Sequence, residues 1–322
     1  MSWPEGIVAR PIDKGDVVAW AELLAAREKV DQEGEIYGAE DLIEALDDSR
    51  LDPAHDTIGL WADGRMIGYG MVRISETVVD VDRVHTEGTI HPEWRRRGLG
   101  TTLMRWLIHR AGELHTAQHP DAVGEVSNGA ISTNTGAGTL LRSFGFEEAR
   151  YFIDMKRRLD QPVPDAAPAD GFRLQVYGPE LDEALRLTHN EVFLDHWGFT
   201  PRSVESWKAR HAGSRSFRGG SSYLVLDGEA IAAYVLCYEW DADTALTGIR
   251  ELYIGQVGTR RSYRGRGLAK AALAKVLTEA AQAGYQRSGL GVDADNPTGA
   301  LGLYESLGFT VHSKWITYRL PL

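Results

Sequence analysis

One cysteine, a shortage of basic residues and no long apolar run define this chain by what they exclude. A lone Cys237 rules out an internal disulfide framework and fits a reducing compartment. The longest apolar run, 230–238, is far too short to cross a bilayer. Met1-Ser2-Trp3-Pro4-Glu5-Gly6 lacks the basic start and apolar stretch of a secretory leader. The expectation is a cytoplasmic protein with no membrane partner. Lys and Arg number 35 against 46 Asp and Glu, a net charge of −11, which disfavours a nucleic-acid partner. His109, His115 and His119 cluster loosely, but no His-Glu-x-x-His or cysteine pair occurs, so no metal is expected. What remains is a chain of 322 residues, 43% apolar and 25% charged, long enough for two ordinary domains.

Two arginine-rich glycine turns stand out, Arg95-Arg96-Arg97-Gly98-Leu99-Gly100 and Arg264-Gly265-Arg266-Gly267-Leu268-Ala269. Each follows a short extended segment and opens a helix. Unpaired main-chain N–H groups converge at such a helix mouth, and the helix dipole adds positive potential, which suits a diphosphate. On an acidic body these arginines are local features fitted to a small polyanion.

The second half repeats the first. Gly98 and Gly267 lie 169 residues apart, Gly145 and Gly308 163, Asp63-Gly64 and Asp227-Gly228 164, and Arg10 and Arg173 163. Near-constant spacing in the same order marks a duplicated domain. Residues 1–160 and 172–322 are the expected domains, and the proline-bearing stretch 161–171 is the linker. Each copy reads as a strand (7–10; 172–176), a helix (17–26; 181–193), an irregular helical region and a hairpin. The strand before the glycine turn follows, then a helix (99–112; 268–284), a strand (122–127; 287–292) and a last helix stopped by Gly145 or Gly308. Terminal strands at 150–157 and 314–320 are expected to close the sheet of their own copy. The expected fold class is α/β, an α+β-like mixed sheet with helices on both faces.

The paired turns, with Asn134-Thr135-Gly136-Ala137 through Phe144-Gly145-Phe146 and Asn296-Pro297-Thr298-Gly299-Ala300 through Tyr304-Glu305-Ser306-Leu307-Gly308-Phe309, resemble the GNAT superfamily of N-acetyltransferases. The resemblance implies two tandem GNAT-like acyl-CoA-binding domains, with acetyl-CoA or another short acyl-CoA as co-substrate. It implies strand contacts from Val257 and Thr259, and diphosphate contacts from Arg264, Gly265, Arg266, Gly267, Leu268, Ala269 and Lys270, with Asn296 nearby. Ile90 and Arg95, Arg96, Arg97, Gly98, Leu99, Gly100 and Thr101 take those places in the first copy. Tyr304 stands where the family commonly keeps the acid that protonates the departing thiolate, and the first copy has Leu141 there. The second copy is therefore the expected catalytic one. Glu251 is the candidate base, although its register is two residues short of the family's usual place. Phe193, Asp195, His196 and Trp197 fall where the family walls its acceptor site, and Asp195 with Glu191 would suit a cationic amine.

The expected activity is acetyl transfer to a small-molecule amine. The alternatives are a non-enzymatic acyl-CoA sensor and a protein or peptide N-acetyltransferase. A monomer or homodimer fits equally well.

Overall fold

The computed structural model describes residues 2–194, 196–295 and 299–322, and it divides into two compact units. The first contains Met1–Tyr151 with Lys314–Leu322, the second Phe152–Ser313. The first half of the chain runs β1 (Val8–Arg10), α1 (Val17–Asp31), α2 (Ala39–Leu46), α3 (Pro53–Asp56), β2 (Thr57–Ala62), β3 (Arg65–Arg73) and β4 (Asp82–Ile90). It continues with α4 (Leu99–Gln118), β5 (Gly124–Ile131), α5 (Thr135–Ser143) and β6 (Glu147–Arg158). The second half runs β7 (Phe172–Val176), α6 (Asp182–Phe193), α7 (Val204–Arg210), β8 (Tyr223–Asp227), β9 (Ala230–Tyr238) and α8 (Asp241–Thr247). It ends with β10 (Glu251–Thr259), α9 (Leu268–Gln282), β11 (Arg287–Asp293), α10 (Ala300–Ser306) and β12 (Thr310–Pro321). Among the described residues no helix is long and apolar enough to cross a membrane.

In the first unit the sheet order is β1-β2-β3-β4-β5-β12, and in the second it is β7-β8-β9-β10-β11-β6. Within each unit β4/β5 and β10/β11 are parallel, and the other pairs described are antiparallel. The last strands correct the sequence expectation. The segment 152–158 pairs with β11, Arg157 opposite Ser288, and 315–321 pairs with β5, Leu320 opposite Val126. Each closing strand thus serves the sheet of the other copy, so the expected boundaries at 160 and 172 do not mark the compact units. Ladder bonds come from main-chain groups that any extended segment supplies, and two homologous sheets offer equivalent vacant edges.

Helices cover both faces of each sheet. In the first unit, Leu103, Leu107 and Ala111 of α4 bury against Val84 and Val126, while Trp20 and Leu23 of α1 pack with Tyr69 and Met71. In the second unit, Ala272, Val276 and Leu277 of α9 cover Leu252, Ile254 and Leu290. The opposite face carries Leu185 and Trp207 over Tyr234, Leu236 and Tyr238. These apolar stripes recur at helical spacing on the helices and at alternate positions on β9 and β10, which is why the sequence forms a layered sheet.

Candidate active site

In the second unit β10 remains paired with β9 as far as Thr259, but its parallel ladder with β11 ends at Ile254. Beyond that point the two parallel strands part, and one main-chain edge of β10 lacks a β11 partner. The β9/β10 ladder also shifts register between Ile254 and Gln256, a bulge centred on Gly255. A bulge re-aims the main-chain groups beside it. The strand then turns through Arg264–Gly267 into α9. Gly267 caps that helix in the left-handed region at φ 72°, a conformation that costs a Cβ-bearing residue energy. Ala271 N bonds Gly267 O, so the amides of Leu268, Ala269 and Lys270 have no carbonyl one turn earlier in the helix to bond.

These elements enclose a cavity of about 460 Å³. Its lining brings together Val257, Thr259, the run Arg264, Gly265, Arg266, Gly267, Leu268, Ala269 and Lys270, His196 and Tyr304. Val192, Tyr263, Ala300 and Leu303 complete it, none of which was a sequence candidate. Arg264 to Gly267 are exposed at its rim. Arg264 Nε bonds the Thr259 carbonyl, and Arg266 lies over the Tyr263 ring, so both guanidiniums brace the turn. Asp195 and Asn296 lie outside the described residues.

Tyr304, on α10, is only 7% exposed, and burial pushes its hydroxyl up to about 12. It therefore remains protonated at neutral pH. Glu251 is not part of the cavity lining. Its carboxylate is held by Arg287 and by Lys156 Nζ at 3.4 Å, and it lies across Gly289, where a Cβ would collide with it.

The face of the second sheet under α6 and α7 is a packed aromatic layer. Phe193 stacks between His189 and His196 at 4.4 and 4.3 Å, which makes it a packing residue as well as a neighbour of the cavity. Trp197 is half-buried and absent from the lining. Glu191 pairs with Arg260 at 3.0 Å. Two buried pairs anchor the layer, His189 Nδ1 with Tyr234 Oη at 2.8 Å and His211 Nδ1 with Tyr238 Oη at 2.7 Å. The two tyrosine rings lie over Gly258 and Gly255 of the bulged strand.

The first unit departs from this arrangement at three points. Its β3/β4 ladder runs from Gly68/Ile90 to Arg73/His85 without a register shift. Leu141 of α5 is buried in the core at the place of Tyr304. Arg95, expected to grip a diphosphate, instead makes a two-pronged ion pair with Asp31 at 2.7 Å for each bond, while its Nε holds the Ile90 carbonyl. Arg97 bonds the Glu93 carbonyl and lies over Trp94. Arg96 has a positive φ, and Gly98 caps α4 in the left-handed region, before Leu99, Gly100 and Thr101 begin the helix.

A parallel pair that opens beside a bulge, feeding a glycine-capped helix, fits the acyl-CoA-binding domain that the sequence resemblance implies. The Acetyltransferase (GNAT) family model matches residues 12–146 and 181–309, and the chain belongs to that family, with two domains in tandem. It is an acetyl-CoA-dependent acyltransferase. A mycothiol acetyltransferase of Salinispora tropica is 29% identical over 278 residues, covering 83% of this chain and 82% of that protein. One of Thermomonospora curvata is 30% identical over 262 residues, covering 80% of each. The tandem plan thus resembles mycothiol synthase. The crystal structure of a GCN5-related N-acetyltransferase from Sphaerobacter thermophilus matches with a TM-score of 0.77 and 26% identity, over 99% of this chain and 97% of that one. A tandem GNAT protein from the clavulanic acid biosynthesis pathway shares the fold, with a TM-score of 0.73 at 17% identity, over 98% of both chains.

Proposed function

We propose that the second unit moves an acetyl group from acetyl-CoA to a primary amine of a small molecule, and that the first unit is a non-catalytic partner domain. One observation carries this reading. The bulged strand edge, the Gly267 helix mouth and Tyr304 meet at one cavity, whereas the first unit has a regular strand, Leu141 and an Arg95 tied to Asp31. The name of the relatives, mycothiol acetyltransferase, supports a small-molecule acceptor.

In this reading the amides at the start of α9 and the rim arginines hold the diphosphate. Main-chain N–H groups of β10 around Val257–Thr259 polarise the thioester carbonyl as the amine adds. Collapse of the tetrahedral adduct breaks the carbon–sulfur bond, and Tyr304 donates to the sulfur as it leaves. Complete proton transfer from a phenol at about 12 to a thiolate near ~8.5 would be uphill by ~5 kcal/mol. Tyr304 therefore acts chiefly as a hydrogen-bond donor to developing charge, and the net proton comes from the newly formed ammonium.

Glu251 is the proposed acceptor-side base: it shares a face of β10 with Tyr253, two residues on, which stands at the family's usual place for the carboxylate. Glu251→Gln is expected to lower kcat/KM for the amine while acetyl-CoA affinity stays constant; turnover matching the parent would dismiss it.

The whole reading is tested by an amine panel scored for thiol release, with calorimetry counting bound acetyl-CoA. Amine-dependent release and at least one bound acetyl-CoA are expected. Absence of any CoA affinity would overturn the proposal.

A further inference from the structure

The second unit buries a cation that the chemistry above does not use. Arg157 of β6 is 4% exposed. Among the described residues its hydrogen-bond partners are all main-chain carbonyls: Nε donates to Leu307 at 2.5 Å, Nη2 to Pro162 at 2.8 Å and Gln161 at 3.3 Å, and Nη1 to Arg158 at 3.2 Å. Burying a guanidinium carries a desolvation penalty that an apolar side chain would avoid. Leu307 is the C-cap of α10, where the last carbonyls lack helical partners and the dipole favours a positive charge. The amides of Leu307 and Phe309 both bond the Tyr304 carbonyl, at 3.0 and 3.1 Å. A short chain of direct bonds thus joins Arg157 to the turn that carries the phenol.

The first unit supplies an internal control. Gly145 and Gly308 follow the last helix of their units with φ of 87° and 86°. A Cβ on Gly308 would meet Arg157 Nε, and a Cβ on Gly145 would meet Leu320 Cδ1. The registers agree: Leu320 faces Val126, which pairs with Val84, and Arg157 faces Ser288, which pairs with Leu252. The same slot therefore holds leucine beside the helix bearing Leu141 and arginine beside the helix bearing Tyr304. The fold itself does not require the cation.

We propose that Arg157 is a positioning residue for Tyr304, fixing the end of α10 so that the phenol points into the cavity. This rests on the reading of Tyr304 as the hydrogen-bond donor to the departing sulfur. Arg157→Leu installs the first unit's residue, and Arg157→Lys keeps one donor for the Leu307 carbonyl. In the full-length chain, Arg157→Leu is expected to lower kcat ~10-fold, as a small misplacement of a reacting group does, with acetyl-CoA affinity unchanged. Arg157→Lys is expected to recover most of that loss, and it carries the test if the leucine variant does not fold. In a Tyr304→Phe background the same substitution should change kcat little, because the phenol it serves is gone. An equal loss in both backgrounds, or a fall in acetyl-CoA affinity that accounts for the whole effect, would overturn the proposal. So would a crystal structure of the leucine variant with α10 and Tyr304 unmoved, whatever its turnover, or of the lysine variant with them unmoved beside a full loss of kcat. Absence of CoA binding or thiol release by the parent would instead count against the acyltransferase reading.

Discussion

Tyr304→Phe is expected to lower kcat by roughly 10²- to 10³-fold, the range for removing one hydrogen-bond donor aimed at developing charge, while acetyl-CoA affinity stays nearly constant. The ring is retained, so the core packing around Phe309 and Leu307 survives. Only the hydroxyl is lost, and with it the partner for charge on the departing sulfur. Because burial holds Tyr304 near 12, it does not titrate between pH 6 and 9. The ratio of parent to variant kcat should therefore be flat across that range. Steady-state thiol release at several pH values, with calorimetry of acetyl-CoA binding, checks both statements. Unchanged turnover would remove Tyr304 from the chemistry.

Acidification should destabilise the second unit sharply. His189 and His211 are buried, and burial pushes them down to about 3 and about 4 from the ordinary 6.5. Between about pH 4 and 6.5 the folded chain keeps both rings neutral, while the unfolded chain protonates them. Unfolding then takes up protons, so stability is full above pH 6.5 and falls as pH drops. Two such sites amount to ~4 kcal/mol between pH 6.5 and 4.5, a large share of typical domain stability. Asp154, pushed up to about 6 by burial, works in the opposite sense and offsets part of the loss. Chemical denaturation at pH 7 and pH 4.5 measures the difference. His211→Gln, which can still bond the Tyr238 hydroxyl, should remove close to half of the histidine contribution; an unchanged pH dependence would show that His211 is not responsible.

Much of the site was legible because it is local. The turn at Arg264–Gly267, the helix it opens and the tyrosine four residues before Gly308 are contiguous patterns whose conformations follow from glycine, helix periodicity and capping. The repeat exposed the inequality between Leu141 and Tyr304 without any coordinates. Other features were legible only in outline. Gly255 inside a strand was a usable signal for a bulge, yet its register depends on β9. Arg95 reads like Arg264 in sequence, and only the approach of Asp31 from the end of α1 distinguishes them.

The sequence by itself determined the duplication, the two arginine–glycine turns, the mixed α/β fold of each copy and the asymmetry of the phenol, since each is written in short-range spacing. Tertiary structure alone decided which sheet each closing strand joins, where β10 leaves β11, and that Arg157 reaches the end of α10. Those outcomes depend on main-chain pairing and on contacts between residues as far apart as 157 and 307, whose partners no local pattern names.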